Sequence, residues 1–364
     1  MTLLDRLAGP LLSGRQEGAV DPRRFQNILV VNFGHLGDIF VSMPSLHALK
    51  TNCPGARVTL LISRWSLPMA RIFAGVLFDD YLVYDDFHVC REGRRRKLIA
   101  FLAGFYRFPK LLLTLRRRRY DLAIDQRSNI SQAPLLMKLG GARYRVGYLE
   151  PGLGFLYTHP VSFNLDRTIL ENTANELAAV GVPESFFSFA AFLRSHPARD
   201  KAAARLRSLV GPGKLLIAQP RTASPEKDWL PEKWRALLAE LPNETGLKTV
   251  IVGGGRRGAW EGALDLTGQT SLFELMVLID LADAFIGGNS VGMHLAAALG
   301  KKTLILTSGN FPPVVWTPRG EHVRAFYRPV ACFPCYKSGV CATSECVTGL
   351  SVEEVKKALL ELLQ

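Results

Sequence analysis

A strand, a glycine turn and a helix succeed one another at two places far apart in this chain, and that pattern constrains the fold more than any other feature. In the first half, Asn27–Phe33 is a continuous apolar run of strand length. It ends in Gly34-His35-Leu36-Gly37-Asp38, after which Ile39, Met43, Leu46 and Leu49 recur at helical spacing. In the second half, Ala284–Ile286 runs into Gly287-Gly288-Asn289-Ser290, and then into a helical pattern over Gly292–Leu299. Strands that are apolar at every position are buried on both faces. Chains of this kind form parallel sheets with helices covering each side.

Further elements repeat the alternation. Arg57–Ile62, Tyr81–Tyr84 and Leu122–Asp125 read as strands of the first half, with a turn at Asn52–Gly55 and a loop at Gly140–Gly147 leading into a short strand. Lys214–Ala218, Thr249–Val252 and Thr303–Thr307 read as strands of the second half. Pro231–Leu241 and Ser271–Leu281 read as its helices. Between the halves, residues 182–213 carry Pro, Gly and charges, with a helix near 198–210. A chain of 364 residues fits two domains at roughly 100–200 residues each. The sequence therefore predicts an α/β protein with a lead-in at 1–26 and a Rossmann-like domain at 27–190. A second Rossmann-like domain is expected at 191–350, and a closing helix at 351–364 opened by the capping-box pair Ser351 and Glu354. Ligands of such sheets sit beyond the strand carboxyl ends, which directs attention to a cleft between the halves.

Charge narrows the partners. The chain carries 45 Lys+Arg and 32 Asp+Glu, a net of +13. Residues 91–119 hold eleven basic residues and one acid, Glu92, and so supply +10 of that excess. Arg94, Arg95, Arg96, Arg116, Arg117, Arg118 and Arg119 stand there among Leu, Phe and Tyr, a pattern suited either to an anionic membrane or acidic glycolipid or to a solvated helix edge. No nucleic-acid module accompanies it. No apolar run reaches eighteen residues, and Asp5 and Arg6 interrupt the short apolar start, so neither a spanning helix nor a signal peptide is expected. The expected compartment is the cytoplasm, at the inner face of its membrane.

Four segments offer chemistry. Gly34, His35 and Gly37 form a tight turn ahead of Asp38, which either caps the next helix or acts as a general base. Gly288, Asn289, Ser290, Val291, Gly292 and His294 open a helix whose N–H groups suit a diphosphate, although the same residues also make an ordinary strand-to-helix turn. The loop after the strand at Lys214–Ala218 offers Arg221, Thr222, Ser224 and Lys227, as a phosphate-holding loop or a solvated one. Cys332, Cys335, Cys341 and Cys346 lie within fifteen residues. They are either four small buried thiols or a structural zinc or iron site, and their spacing matches no common finger.

Together these segments resemble glycosyltransferase family 9, the bacterial lipopolysaccharide heptosyltransferases. The carrying stretches are "NILVVNFGHLGDIFVSMPSLHALKTNCPGARVTLLI", "YDLAIDQRSN", "GGARYRVGY", "KDWLPEKWRALLAEL", "DLTGQTSLFELMVLIDLADAFIGGNSVGMHLAAALGKKTLIL" and "CFPCYKSGVC". The resemblance implies a GT-B fold, with an acceptor domain ahead of a nucleotide-sugar domain. It implies inverting, metal-independent transfer of heptose from ADP-heptose to a lipopolysaccharide core, with another glycan or a protein as alternative acceptor. A non-catalytic sugar-nucleotide or lipid-binding homologue is the alternative from a different class. In the resemblance Asp38 matches the base, Lys227 the lysine that steadies the departing diphosphate, Gly288–Gly292 the diphosphate turn, and Glu261 the nucleotide-binding Glu. Asn289 stands where the family usually has Asp, and Val291-Gly292 where Gly-Pro is usual.

Overall fold

The computed structural model describes residues 20–84, 107–127, 131–149, 153–255, 257–258, 260–336, 341 and 343–364. The lead-in up to residue 19 and the basic residues Arg94, Arg95 and Arg96 lie outside them. The chain divides into two units, Met1–Phe187 and Ser188–Gln364.

The first unit is built on a six-stranded sheet. Its strands are β1 (Asn27–Asn32), β2 (Arg57–Ile62), β3 (Asp80–Val83), β4 (Leu122–Asp125), β5 (Tyr144–Tyr148) and β6 (His159–Val161). The order across the sheet is β3-β2-β1-β4-β5-β6, with every pairing parallel. β1 is buried along all but its first residue. Where the sequence shows one helical pattern over 39–49, there are two helices, Leu36–Val41 and Met43–Asn52. The break falls at Ser42, whose hydroxyl donates to the Ile39 carbonyl (2.7 Å), and Pro44 sits in the first turn of the second helix. A side chain that bonds back to its own helix competes with the ladder. Proline fits best in a first turn, where its missing N–H costs no bond, and the second helix starts there.

The second unit repeats the plan. Its strands are β7 (Leu215–Gln219), β8 (Lys248–Ile251), β9 (Ala263–Asp265), β10 (Ala284–Gly288), β11 (Lys302–Leu306) and β12 (Val323–Phe326). They are ordered β12-β11-β10-β7-β8-β9, again all parallel. Its core joins Leu216, Ala218, Ile286 and Leu304 of the sheet to Trp234, Leu237 and Leu241 of helix Pro231–Thr245. Val355, Ala358 and Leu359 of the C-terminal helix Val352–Leu363 complete it. Trp229 Nε1 donates to the Leu350 carbonyl (3.0 Å), and Lys233 Nζ to the same carbonyl (2.7 Å), which pins the start of that last helix to this core. The two sheets, each doubly wound, are the α/β architecture the sequence predicts, and they match the GT-B pattern.

Polar groups are also buried in the first unit. Asp125, at the carboxyl end of β4, accepts a hydrogen bond from the Tyr157 hydroxyl at Oδ2 (2.8 Å). Burial pushes its carboxyl up to about 7, against the pull of Tyr157 and the Arg127 charge. Glu176, in helix Ile169–Ala178, is likewise held well above the carboxylate range by burial. A carboxyl raised in the folded state favours folding while protonated there, and the contribution is lost as pH rises from about 4 through about 7. The Asp125→Asn variant should therefore show a flatter loss of stability with rising pH. Between about pH 5 and about pH 8 the parent should lose on the order of 2 kcal/mol more than the variant in denaturant titrations. Parallel pH curves would show that Asp125 titrates alike folded and unfolded.

Candidate active site

In each sheet the strand order reverses once, between β1 and β4 and between β10 and β7. Loops leaving such neighbouring strands diverge and open a crevice at their carboxyl ends. The Gly34–Asp38 turn, the Thr222–Lys227 loop and the Gly288–Gly292 loop lie at these two points, whereas Glu261, the cysteines and the arginines at 116–119 lie elsewhere.

In the first unit, Asn32 ends β1 and organises the turn into the first helix. Its Oδ1 accepts from Gly34 N (3.0 Å), and its Nδ2 donates to the Asp38 carbonyl (3.2 Å). Ser66 Oγ donates to the Gly34 carbonyl (2.7 Å), and Ser63 Oγ to that of Phe33 (2.9 Å). Gly37 and Asp38 are the second and third residues of helix Leu36–Val41, and His35 is its N-cap. Asp38 Oδ2 accepts from the His35 backbone N–H (2.7 Å), so the capping function foreseen for Asp38 is met by one oxygen. The other oxygen, Oδ1, is paired with Arg127 Nη1 at 3.0 Å, with the two side chains 18% and 14% exposed. Arg127 lies two residues beyond β4, next to β1 in the sheet. A Cβ on Gly34 would come within 2.5 Å of Arg127 Nη1 and Asp38 Cγ, so this turn needs glycine to admit the pair.

In the second unit, the loops after β7 and β10 meet. Ser290 Oγ donates to Gln219 Oε1 (2.8 Å). A Cβ on Gly288 would lie 2.7 Å from Thr222 Cγ2 and 3.5 Å from the Lys227 carbonyl. A Cβ on Gly292 would collide with Gln219 Oε1 and lie 2.9 Å from Phe285. The fold thus brings Thr222 and the Lys227 backbone beside the glycine loop. Thr222 N donates to Asp228 Oδ1 (2.7 Å), and Thr222 Oγ1 to the Ser224 carbonyl (2.9 Å), which rounds the loop into the turn Pro225–Lys227. Burial holds the Asp228 carboxyl above its ordinary value. Ser290 is the N-cap of helix Val291–Ala298, and His294 is buried one turn into it. Glu261 is exposed in the turn ahead of β9. Asp265 in β9 shapes that region, accepting from Gly258 N (2.9 Å) and Thr267 N (2.8 Å).

Sequence reasoning missed Arg127, Gln219 and Asp228. The first was visible only as part of "YDLAIDQRSN", and its role depends on β4 lying beside β1.

The four cysteines divide. Gly309 N donates to Cys346 Sγ (3.2 Å) and Ser344 N to Cys341 Sγ (3.2 Å). The backbone N–H groups of Ser344 and Thr343 hold the Cys341 thiol below its usual range, while burial and the nearby Cys341 and Cys335 raise Cys346. Cys332 is exposed. Among the described residues, no group of three or more His, Cys, Asp and Glu side chains is arranged to hold a metal ion.

The C-terminal arginines of the basic stretch have different surroundings. Residues 107–118 form a helix. Arg118 pairs with Asp80 (2.8 Å), and Arg116 Nε donates to the Leu139 carbonyl (2.8 Å). Arg117 and Arg119 are exposed, as are Lys110 and Leu113. No helix among the described residues is long and apolar enough to cross a membrane.

This architecture has known counterparts. Over 314 residues the chain is 24% identical to lipopolysaccharide heptosyltransferase 3 of Escherichia coli strain K12, covering 80% of this chain and 85% of that one. The crystal structure of a family 9 glycosyltransferase from Veillonella parvula superposes with a TM-score of 0.69 at 20% identity, covering 95% of this chain and 99% of the other. The ADP-heptose lipopolysaccharide heptosyltransferase II of Escherichia coli superposes with a TM-score of 0.67 at 17% identity, covering 93% and 98%. Residues 109–343, well over half of the chain, match the model of glycosyltransferase family 9 (heptosyltransferase), and the chain belongs to that family.

Proposed function

We propose that this protein transfers a heptose from ADP-heptose to a phosphorylated lipopolysaccharide core at the inner face of the cytoplasmic membrane, with inversion at the anomeric carbon. The observation that carries the reading is the placement of Asp38 and of the Gly288–Gly292 loop, each at the point where its own sheet reverses strand order. ADP-heptose and lipopolysaccharide are named for the Escherichia coli relatives, and the phosphorylated core is the part of the acceptor that this reading adds.

Asp38 takes the proton from an acceptor hydroxyl. That oxygen attacks the anomeric carbon as the bond from that carbon to the diphosphate oxygen breaks, and the nucleoside diphosphate leaves. A carboxylate oxygen accepts more than one hydrogen bond, so pairing to Arg127 leaves Oδ1 a lone pair for this proton. Lys227 supplies positive charge as the leaving diphosphate gains negative charge. The N–H groups that open helix Val291–Ala298 face the same diphosphate, with Thr222, Ser224, Asn289 and Ser290 around it, and His294 and Glu261 complete the nucleotide side. Every step is carried by side chains and backbone of this chain.

The membrane reading rests on one helical face. Lys110, Leu113 and Arg117 are exposed at spacings of three and four, so two cations flank an apolar side chain that is 53% exposed.

Asp38→Asn keeps the shape of the base and removes its proton affinity. Turnover should fall by about 10²–10⁴-fold, with the melting temperature and nucleotide affinity retained. A purified variant that turns over like the parent would leave Asp38 with its capping role alone. For Lys227→Ala, weaker ADP binding by calorimetry and slower transfer are expected. Unchanged values for both would take Lys227 out of the site.

Replacing Arg117 and Arg119 by Gln, with Arg118 left to its Asp80 partner, should weaken sedimentation with anionic vesicles at low salt. Each cation near such a surface is worth about 1 kcal/mol. Transfer to a soluble truncated acceptor should be unaltered. Equal pelleting of parent and variant would mean these arginines are a solvated edge.

A further inference from the structure

We infer that Arg127 is the positioning residue of the transfer reaction, fixing the Asp38 carboxylate in the orientation from which it takes the acceptor's proton. The inference rests on the reading of Asp38 as the base, and it adds a second residue from a different strand.

Three contacts fix Asp38, each from a different source. Its carbonyl accepts from Asn32 Nδ2, its Oδ2 from the His35 backbone, and its Oδ1 from the Arg127 guanidinium. The first two come from the same loop as Asp38 and fix the backbone and one oxygen. Rotation of the carboxyl group about its last bond remains, and Arg127 opposes it by anchoring the second oxygen from outside the loop. The segment that carries Arg127 is itself placed by the sheet. Val31 of β1 and Asp125 of β4 are register partners, so the two loops leave the sheet side by side. Two residues before Arg127, Asp125 closes β4, its Oδ2 accepting from the Tyr157 hydroxyl (2.8 Å) and from Ser131 Oγ (3.4 Å). The Arg127 side chain then crosses to the β1 loop through the space that a Cβ on Gly34 would occupy. With the pair only 14% and 18% exposed, water screens it far less than a surface pair, so the geometry is stiff.

A base needs this stiffness. A displacement of about 1 Å at a reacting group can cost about 10²-fold in rate while substrate binding is untouched. Arg127 contributes orientation, holding Oδ1 in place while Oδ2 stays on the His35 N–H.

The test compares Arg127→Ala, Arg127→Lys and Asp38→Asn in full-length protein. Each is assayed with ADP-heptose and a soluble truncated acceptor, with kcat, both KM values and the melting temperature measured. Arg127→Ala should lose about 10–100-fold in kcat, with both KM values within a few-fold of the parent. Arg127→Lys should recover part of the loss. Guanidinium ion at sub-denaturing concentration should restore part of the alanine variant's rate and do nothing for Asp38→Asn. If the alanine variant does not fold, Arg127→Gln carries the same comparison.

Parent-like kcat in Arg127→Ala would overturn the inference. A KM effect without a kcat effect would also do so, since that marks a substrate contact. So would a kcat loss that tracks the melting temperature and is rescued by neither lysine nor guanidinium. If Asp38→Asn itself turns over like the parent, the base reading fails first. An inactive Asp38→Asn beside a parent-like Arg127→Ala removes the positioning role alone.

Discussion

Parallel pairing is the constraint on which the rest of this molecule depends. A parallel strand must return by a crossover, and right-handed crossovers that build outward in both directions from one central pair leave the loops after that pair diverging. Here the central pairs are β1–β4 and β7–β10. Their interiors are sealed: Ile28, Val30, Leu122 and Ile124 in one sheet, and Leu216, Ala284 and Ile286 in the other, are inaccessible to solvent. Such sheets offer their accessible polar chemistry at the strand carboxyl ends and in the segments that follow them. Gln219 ends β7, and Asp38, Arg127, Thr222, Lys227 and Ser290 lie in the segments after β1, β4, β7 and β10.

That constraint also explains what the sequence revealed and what it concealed. The central strands are unbroken apolar runs, so Asn27–Phe33 and Lys214–Ala218 could be read almost to the residue. The outer strands β6, β9 and β12 are three or four residues long and only half buried, and they carry no such run. They went unread. Helix Ile169–Ala178 did leave a signal, the capping box of Thr168 and Glu171, in which each supplies the other's missing partner. Helix Pro231–Thr245 runs past its expected end at Leu241. Pro242 has no N–H to donate inside it, yet Gly246 in the left-handed region closes it one turn later. Site residues divide the same way. Asp38 and the glycine loops are local motifs. Arg127, Gln219 and Asp228 act through neighbours brought close by register or loop closure, and no spacing along the chain encodes that.

Charge counting needs the same correction. The window 91–119 carries nearly all the excess cations. Of its four terminal arginines, however, one is paired with Asp80 and another hydrogen-bonds a backbone carbonyl. Arg116, Arg117 and Arg118 end the helix at about 100° per residue, so they cannot all face one way and some turn toward the protein. Among the described residues, Lys110, Leu113 and Arg117 form one exposed stripe, with Arg119 exposed just beyond the helix.

The departures from the family pattern at the second unit's loop make chemical sense together. Gly292 is held against Gln219 and Phe285 so closely that a side chain there would collide with both. None of Gly287, Gly288 and Gly292 has positive φ, so their requirement is space and not backbone conformation. Proline, usual at the position of Gly292, has no N–H to offer. Glycine there adds one free donor to the first turn of helix Val291–Ala298, where the helix has no internal acceptors for it. Asn289, in place of the usual Asp, brings a side chain without charge to a loop that faces a diphosphate in the proposed reaction. In the proposed reaction, one more donor and one less negative charge act in the same direction, both favouring the diphosphate at this loop.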